Sequence, residues 1–128
     1  MIVEDVKSKF KHFFSHEFFQ SSLVQWVIIA ALVVNVANWI SIVYFIRPVD
    51  FPIILHYNIY FGVDVIGSWK QIYFLPVIGL LILSINTTLG YLFYQQKERI
   101  AAHLLLLATF IVQIGISIAV ASLLLINY

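Results

Sequence analysis

His56, Asn58, Asp64 and Lys70 fall within one stretch, LHYNIYFGVDVIGSWK at residues 55–70, between long apolar runs. A histidine and an aspartate that converge can coordinate a metal. With Lys70 or Arg47 as counter-charge, the same group could hold a cation or a small polar ligand. Asparagine is a poor transition-metal ligand, and the loop has no second histidine. These four are therefore candidate ligand-binding residues, and no metal site is expected. The plainer reading has Asp64 capping a turn, Asn58 bonding the backbone and His56 orienting a hairpin. No serine triad, carboxylate pair or phosphate-binding glycine loop is recognisable, so no catalytic activity and no cofactor are expected.

Two other sets of polar residues invite chemistry. His12 and His16 stand at i and i+4, a spacing that can grip a metal on a helix. The acid Glu17 follows the pair instead of lying between them, so the metalloprotease pattern is absent and a solvated polar face is expected. Asn35, Asn86 and Gln113 are amides inside apolar runs, where polar groups normally face other helices. At 1.5 Å per residue, Asn35 and Gln113 lie roughly 18 and 20 Å from one membrane edge, and Asn86 about 12 Å. One amide per helix near mid-membrane suggests a shared hydrogen-bonded layer. Small residues four apart (Ala37 and Ser41, Ser84 and Thr88, Gly115 and Ala119, Ser117 and Ala121) mark expected packing faces. His103 lies within a turn of the edge and is read as snorkelling.

The elements that carry these residues follow from composition. The chain has 128 residues, 62% of them hydrophobic and 10% charged, with a mean hydropathy of +1.00. Soluble domains carry about 25% charged residues, so lipid must solvate most of this one. There is no cysteine, which excludes disulfides, thiolate zinc sites and cysteine nucleophiles. A net charge of +1 gives no reason to expect a nucleic-acid partner.

Three runs are long enough to cross a bilayer, which takes about 20 apolar residues: 23–46, 71–94 and 100–128. Their β-branched richness would favour strands in water, but runs of this length in lipid must be helices. A leader (1–22), an outer loop (47–70) and an inner turn (95–99) complete a single membrane domain. Asn86-Thr87-Thr88 matches a glycosylation acceptor but lies inside the second span. The first apolar run is longer than a signal h-region and follows a 22-residue leader, so an uncleaved anchor is expected.

Basic residues set the expected direction. Lys7, Lys9, Lys11, Lys97 and Arg99 lie on one side, and only Arg47 and Lys70 on the other. The amino terminus is expected inside and the carboxyl end outside. Trp26, Tyr91 and Tyr94 then fall at the inner interface, and Tyr44, Trp69, Tyr73 and Tyr128 at the outer one. On a helical wheel, Ile2, Val3, Val6, Phe10, Phe13 and Phe14 fall in one arc of the leader bordered by Lys7 and Lys9. Glu4, Asp5, Ser8, His12, Ser15 and His16 fall opposite. This is the pattern of an interfacial anchor helix. In the outer loop, extended geometry would put Ile54, His56, Asn58 and Tyr60 on one face. Two glycines and Asp64 would turn the chain back, making a short hairpin or partly ordered cap against the helix ends.

Pro52, His56, Tyr57, Asn58, Gly62, Asp64, Ser68, Lys70 and Pro76 carry a family resemblance over residues 48–80. The stretch resembles a bacterial membrane domain of unknown function found in SdpI-like immunity proteins. Gly62 sits one residue later than in that pattern, Trp69 separates Ser68 from Lys70, and Val63 replaces a proline common before the aspartate. The resemblance implies a bacterial inner-membrane location and an immunity or signalling role. Together these readings describe an all-α membrane protein with three transmembrane helices, an amphipathic interfacial leader and a partly ordered outer loop. A non-catalytic binding, accessory or immunity-type subunit is expected, working in the lipid bilayer as a homo-oligomer or with another membrane protein. The alternative is a homo-oligomeric transporter or channel using Asn35, Asn86 and Gln113.

Overall fold

The computed structural model describes residues 1–14 and 16–127. Ser15 and Tyr128, placed above on the leader's polar face and at the outer interface, lie outside the described residues, as do the side chains of Phe13 and Phe14. In chain order the elements are α1 (Ile2–Phe14), α2 (Glu17–Gln20), α3 (Ser22–Phe45), β1 (Ile53–Asn58), β2 (Gly62–Gly67), a 3-10 turn (Trp69–Tyr73), α4 (Phe74–Gln95) and α5 (Arg99–Asn127). Three of the helical segments are long and apolar enough to cross a membrane, at the expected places to within a few residues. The chain is an all-α membrane protein.

Helix ends follow local chemistry. Pro76 lacks the N–H that would bond back to Ile72, so it fits only the first turn of α4, where that bond is expendable. The tighter 3-10 turn ends just before it. At the other end of α4, Glu98 N–H donates to the Phe93 carbonyl (2.8 Å) and Lys97 N–H to that of Tyr94 (3.1 Å). This is a Schellman closure, and its left-handed position is filled by Lys97 at φ 63° instead of by glycine. The turn lets α5 fold back antiparallel on α4, the most extensive helix pair, and α3 packs chiefly against α5.

The core forms three levels. At the leader end, Phe18, Val24, Ala102 and Leu106 are buried together. At the hairpin end, Ile42, Ile46, Ile72 and Val120 do the same. Between them lies a polar level built on Asn35 and Gln113, both at most 1% exposed.

The leader departs from expectation. It is not one surface helix, because α2 breaks away from it. His16 caps α2, its Nδ1 accepting from Phe18 N–H at 3.2 Å, and its ring stands edge-on to Tyr91 with centroids 4.8 Å apart. His16 is thus a packed cap, not a residue of a solvated face. The cap turns Phe18 into the bundle at 0% exposure, against Gly90, where a Cβ would come within 3.1 Å of the ring. The α1 stripe of Ile2, Val3, Val6 and Phe10 remains exposed, and Lys9 pairs with Asp5 along the helix at 3.0 Å.

The expected packing stripes are also corrected. Ala37, Ser84, Thr88, Gly115 and Ala121 face outward. The hydroxyls of Ser41, Ser84, Thr88, Ser117 and Ser122 each donate to the carbonyl four residues back. A hydroxyl satisfied by its own helix needs no neighbouring one. Close approach is made instead at Ala31, Gly79, Gly90 and Ala102, all buried.

A lysine in the left-handed region costs about 1 kcal/mol relative to glycine. Lys97→Gly should therefore stabilise the protein by about 0.5–1 kcal/mol, part of the gain being offset by the freer unfolded chain. Unfolding titrations in mixed detergent–dodecyl sulfate micelles would measure it; an unchanged or lower midpoint would refute the strain.

Candidate functional site

The loop between the first two spans is an ordered antiparallel hairpin. Asn58 Oδ1 accepts from Tyr60 N–H at 2.8 Å, and Gly62 adopts φ 78°, the turn chemistry that an Asn and a Gly offer. The pairing is irregular: Ile54 opposes Ile66, His56 opposes Val65, and Tyr57 opposes Val63. Leu55 and Asp64 are the extra residues, so the simple alternation of faces expected along β1 is interrupted.

Of the four candidate ligand-binding residues, only His56 and Asp64 meet, with Nδ1 and Oδ1 2.6 Å apart. Both are well exposed, so the pair contributes little to stability. Asn58 is used by the turn. Lys70 points elsewhere: the 3-10 turn sets its ammonium over the Trp69 ring, 5.8 Å from the centroid. His56, Asn58, Asp64 and Lys70 therefore do not converge on one pocket. Among the described residues no group of three or more His, Cys, Asp or Glu side chains is placed to hold a metal.

The hairpin base is fastened by a residue the sequence reading passed over. Asn127, at the last turn of α5, accepts from Ile54 N–H at 2.8 Å and donates to Ile54 O at 2.6 Å and to Leu123 O at 2.9 Å. Its side-chain amide extends the β1 ladder as a neighbouring strand would. Ile53 beside it is 8% exposed. Far from this base, Ile59, Tyr60 and Phe61 at the tip are 82%, 87% and 86% exposed. The loop was expected to lie against the helix ends; only its base does.

The polar level inside the bundle is a closed clasp. Asn35 Nδ2 donates to Pro76 O (3.0 Å) and Gln113 Oε1 (3.1 Å), and Gln113 Nε2 donates to Gly79 O (2.8 Å). Trp39 Nε1 donates to Asn35 Oδ1 at 3.0 Å. All three spans are joined. A Cβ on Gly79 would lie 2.8 Å from Asn35 Nδ2 and 2.9 Å from Gln113 Oε1, so the clasp requires glycine there. Asn86 is not part of it. Seven residues beyond Gly79, about 10 Å along α4, it donates instead to Thr109 Oγ1 at 2.9 Å. The expected single layer of Asn35, Asn86 and Gln113 is thus two tiers. Pro76, Gly79 and Trp39 complete the upper one, and the signal for Gly79 was a glycine level with two amides.

Asn38, one turn from Asn35, is 5% exposed, and its Nδ2 has no hydrogen-bond partner.

No protein-family model matches the chain, no curated protein matches it, and no solved structure matches it.

The two asparagines of α3 should respond in opposite directions. Asn35→Leu removes a bridging amide and strands Gln113 and Trp39, costing about 1–2 kcal/mol. Asn38→Leu removes an unsatisfied buried amide and should gain about 1 kcal/mol. Mixed-micelle unfolding of both variants reads the difference; equal shifts would contradict the clasp.

Proposed function

We propose that this chain is a non-catalytic membrane subunit that binds a partner protein through the tip of its outer hairpin. The observation that supports this most is the pairing of a fixed base with a greasy tip. Ile59, Tyr60 and Phe61 are almost fully exposed on a turn held by Asn58 and Gly62, above a base tied to α5 by Asn127. Aromatic side chains presented on a preorganised element bind at low entropic cost. A cluster of this kind is what a partner's pocket would select as an anchor.

The partner is another membrane protein or a second copy of this chain, and an immunity-type role against an incoming membrane-active protein is one form of this activity. The protein resides in the bacterial inner membrane with its amino terminus cytoplasmic and the hairpin outside. The apolar stripe of α1 lies on the inner leaflet, its lysines at headgroup level. The alternative of a transport path through Asn35, Asn86 and Gln113 has their bonding against it, since each amide donates to a neighbouring helix.

Affinity capture of the tagged protein from its own membranes tests the binding reading. A specific co-purifying chain should be recovered with the unaltered protein and lost with Tyr60→Ser/Phe61→Ser, since buried aromatic anchors are worth about 2 kcal/mol or more each. Recovery unchanged by the double substitution, or of the protein alone, would sink it.

Direction is tested separately, using the absence of native cysteine. Tyr60→Cys should react with an impermeant maleimide in intact cells, and Gln96→Cys only after permeabilisation. The reverse pattern would invert the assignment.

A further inference from the structure

The helix α2 has only four residues, and a helix that short is not stable by its own bonds. Two contacts hold it. Phe18 is fully buried with its ring against Gly90. His16, its backbone extended at φ −62° and ψ 149°, caps the first turn. The cap is made by Nδ1, which accepts from Phe18 N–H at 3.2 Å. A ring nitrogen that accepts carries no proton, so His16 is held in its neutral form with the hydrogen on Nε2. Serine, threonine and asparagine, the usual neutral caps, take up no proton in this way.

The same helix is the joint between the leader and the bundle. It packs against α3, and its two phenylalanine rings meet Tyr91 and Tyr94 of α4. Among the described residues, α1 makes no comparable contact with a spanning helix. Charged and titratable groups surround His16 on every side. Glu17 follows it in α2, exposed and 3.8 Å from Arg99 at the start of α5. From α4, Tyr91 and Tyr94 meet its ring edge-on with centroids 4.8 and 6.0 Å away. His103 of α5 stands edge-on to the same Tyr94. In α1, Lys11 and His12 are exposed.

We propose that His16 is a proton-operated latch on the leader. A proton taken up by Nδ1 sets one N–H against another, and two donors cannot bond. Phe18 N–H belongs to the first turn and has no acceptor within its own helix. The charged ring would also stand among first-turn N–H groups, where positive charge is disfavoured. The neutral ring makes the bond, so the closed joint is favoured at neutral pH. It is lost as pH falls through the range in which histidines ordinarily titrate, about 5 to 8. Opening then becomes more frequent, Phe18 leaves Gly90 more often, and α1 gains freedom to turn relative to the bundle.

Residue-resolved hydrogen exchange of the full chain in lipid nanodiscs tests the latch, read at the Phe18 and Phe19 amides at about pH 7.5 and about pH 5.5. His16→Asn is the reference, because asparagine caps a helix and does not titrate. The ratio of the two proteins at one pH removes the intrinsic pH dependence of exchange. That ratio should be near one at neutral pH. At acid pH the unaltered protein should exchange about fivefold faster, the worth of one cap. His16→Ala should exchange about fivefold faster than the reference at both pH values. His12→Gln should keep the response of the unaltered protein. Spin labels on Ser8→Cys and Gln96→Cys, both exposed in a cysteine-free chain, read the leader itself. Their distance distribution should broaden at acid pH, and not when His16→Asn is added. A ratio that does not change with pH, protection in His16→Ala equal to the reference, a response lost with His12→Gln, or a leader distance unmoved by pH would each overturn it.

Discussion

An amide carried into lipid must find a partner within the protein, because nothing in the hydrocarbon will accept or donate. The Asn35–Gln113 clasp answers that requirement with carbonyls of α4, those of Pro76 and Gly79. Helices in a bilayer gain little from burying one more leucine, since the lipid is as apolar as the side chain. Directional bonds and close contact therefore decide which faces meet. Here they depend on an absence: a Cβ on Gly79 would occupy the space of both amides. Once Gly79 admits them, the rotation of α3 and α5 about their axes is fixed. The apolar clusters at the two ends then pack on faces already chosen.

The two ends extend this order outward by different means. At the leader end a ring, Phe18, is set against Gly90, and the His16 cap aims it there. At the hairpin end a side-chain amide, Asn127, imitates a strand. Isolated two-stranded hairpins are marginal in water, and this one is irregular in register. Its order comes from the helix to which its first strand is bonded. The tip is consequently displayed in a definite direction relative to the membrane, although most of its own surface is unpacked.

How far the sequence could be read depended on whether a feature was linear. Spans are linear: length and hydropathy located all three, and counting from the edge put Asn35 and Gln113 at one depth. The same count set Asn86 roughly 6–8 Å nearer the edge, and it was the grouping of all three amides into one layer that failed. The hairpin was legible from Asn58 and Gly62, and so was the closeness of His56 to Asp64, although Asp64 sits within β2 and caps no turn. The role of Asn127 was not, since it depends on where a helix more than 70 residues away ends. Nor was α2, whose placement turns on a histidine ring nitrogen and on the close approach of Phe18 to Gly90. The small-residue stripes misled for a local reason: their hydroxyls bond within their own helices.

Polar residues inside a membrane can be structural or functional, and the difference lies in unused bonding capacity. Gln113 and Asn35 have their donors engaged by carbonyls of other elements or by each other. A solute could use them only by first breaking bonds that hold the spans together. Asn86 is committed in the same way to Thr109. Unused capacity is found elsewhere: at Asn38, buried without a partner for its amide nitrogen, and at His103, beside an apolar groove. The first is a cost that the bundle carries. The second lies near the start of α5, edge-on to the Tyr94 ring. The bonded amides of the clasp are thus structural, and they hold the three helices in register.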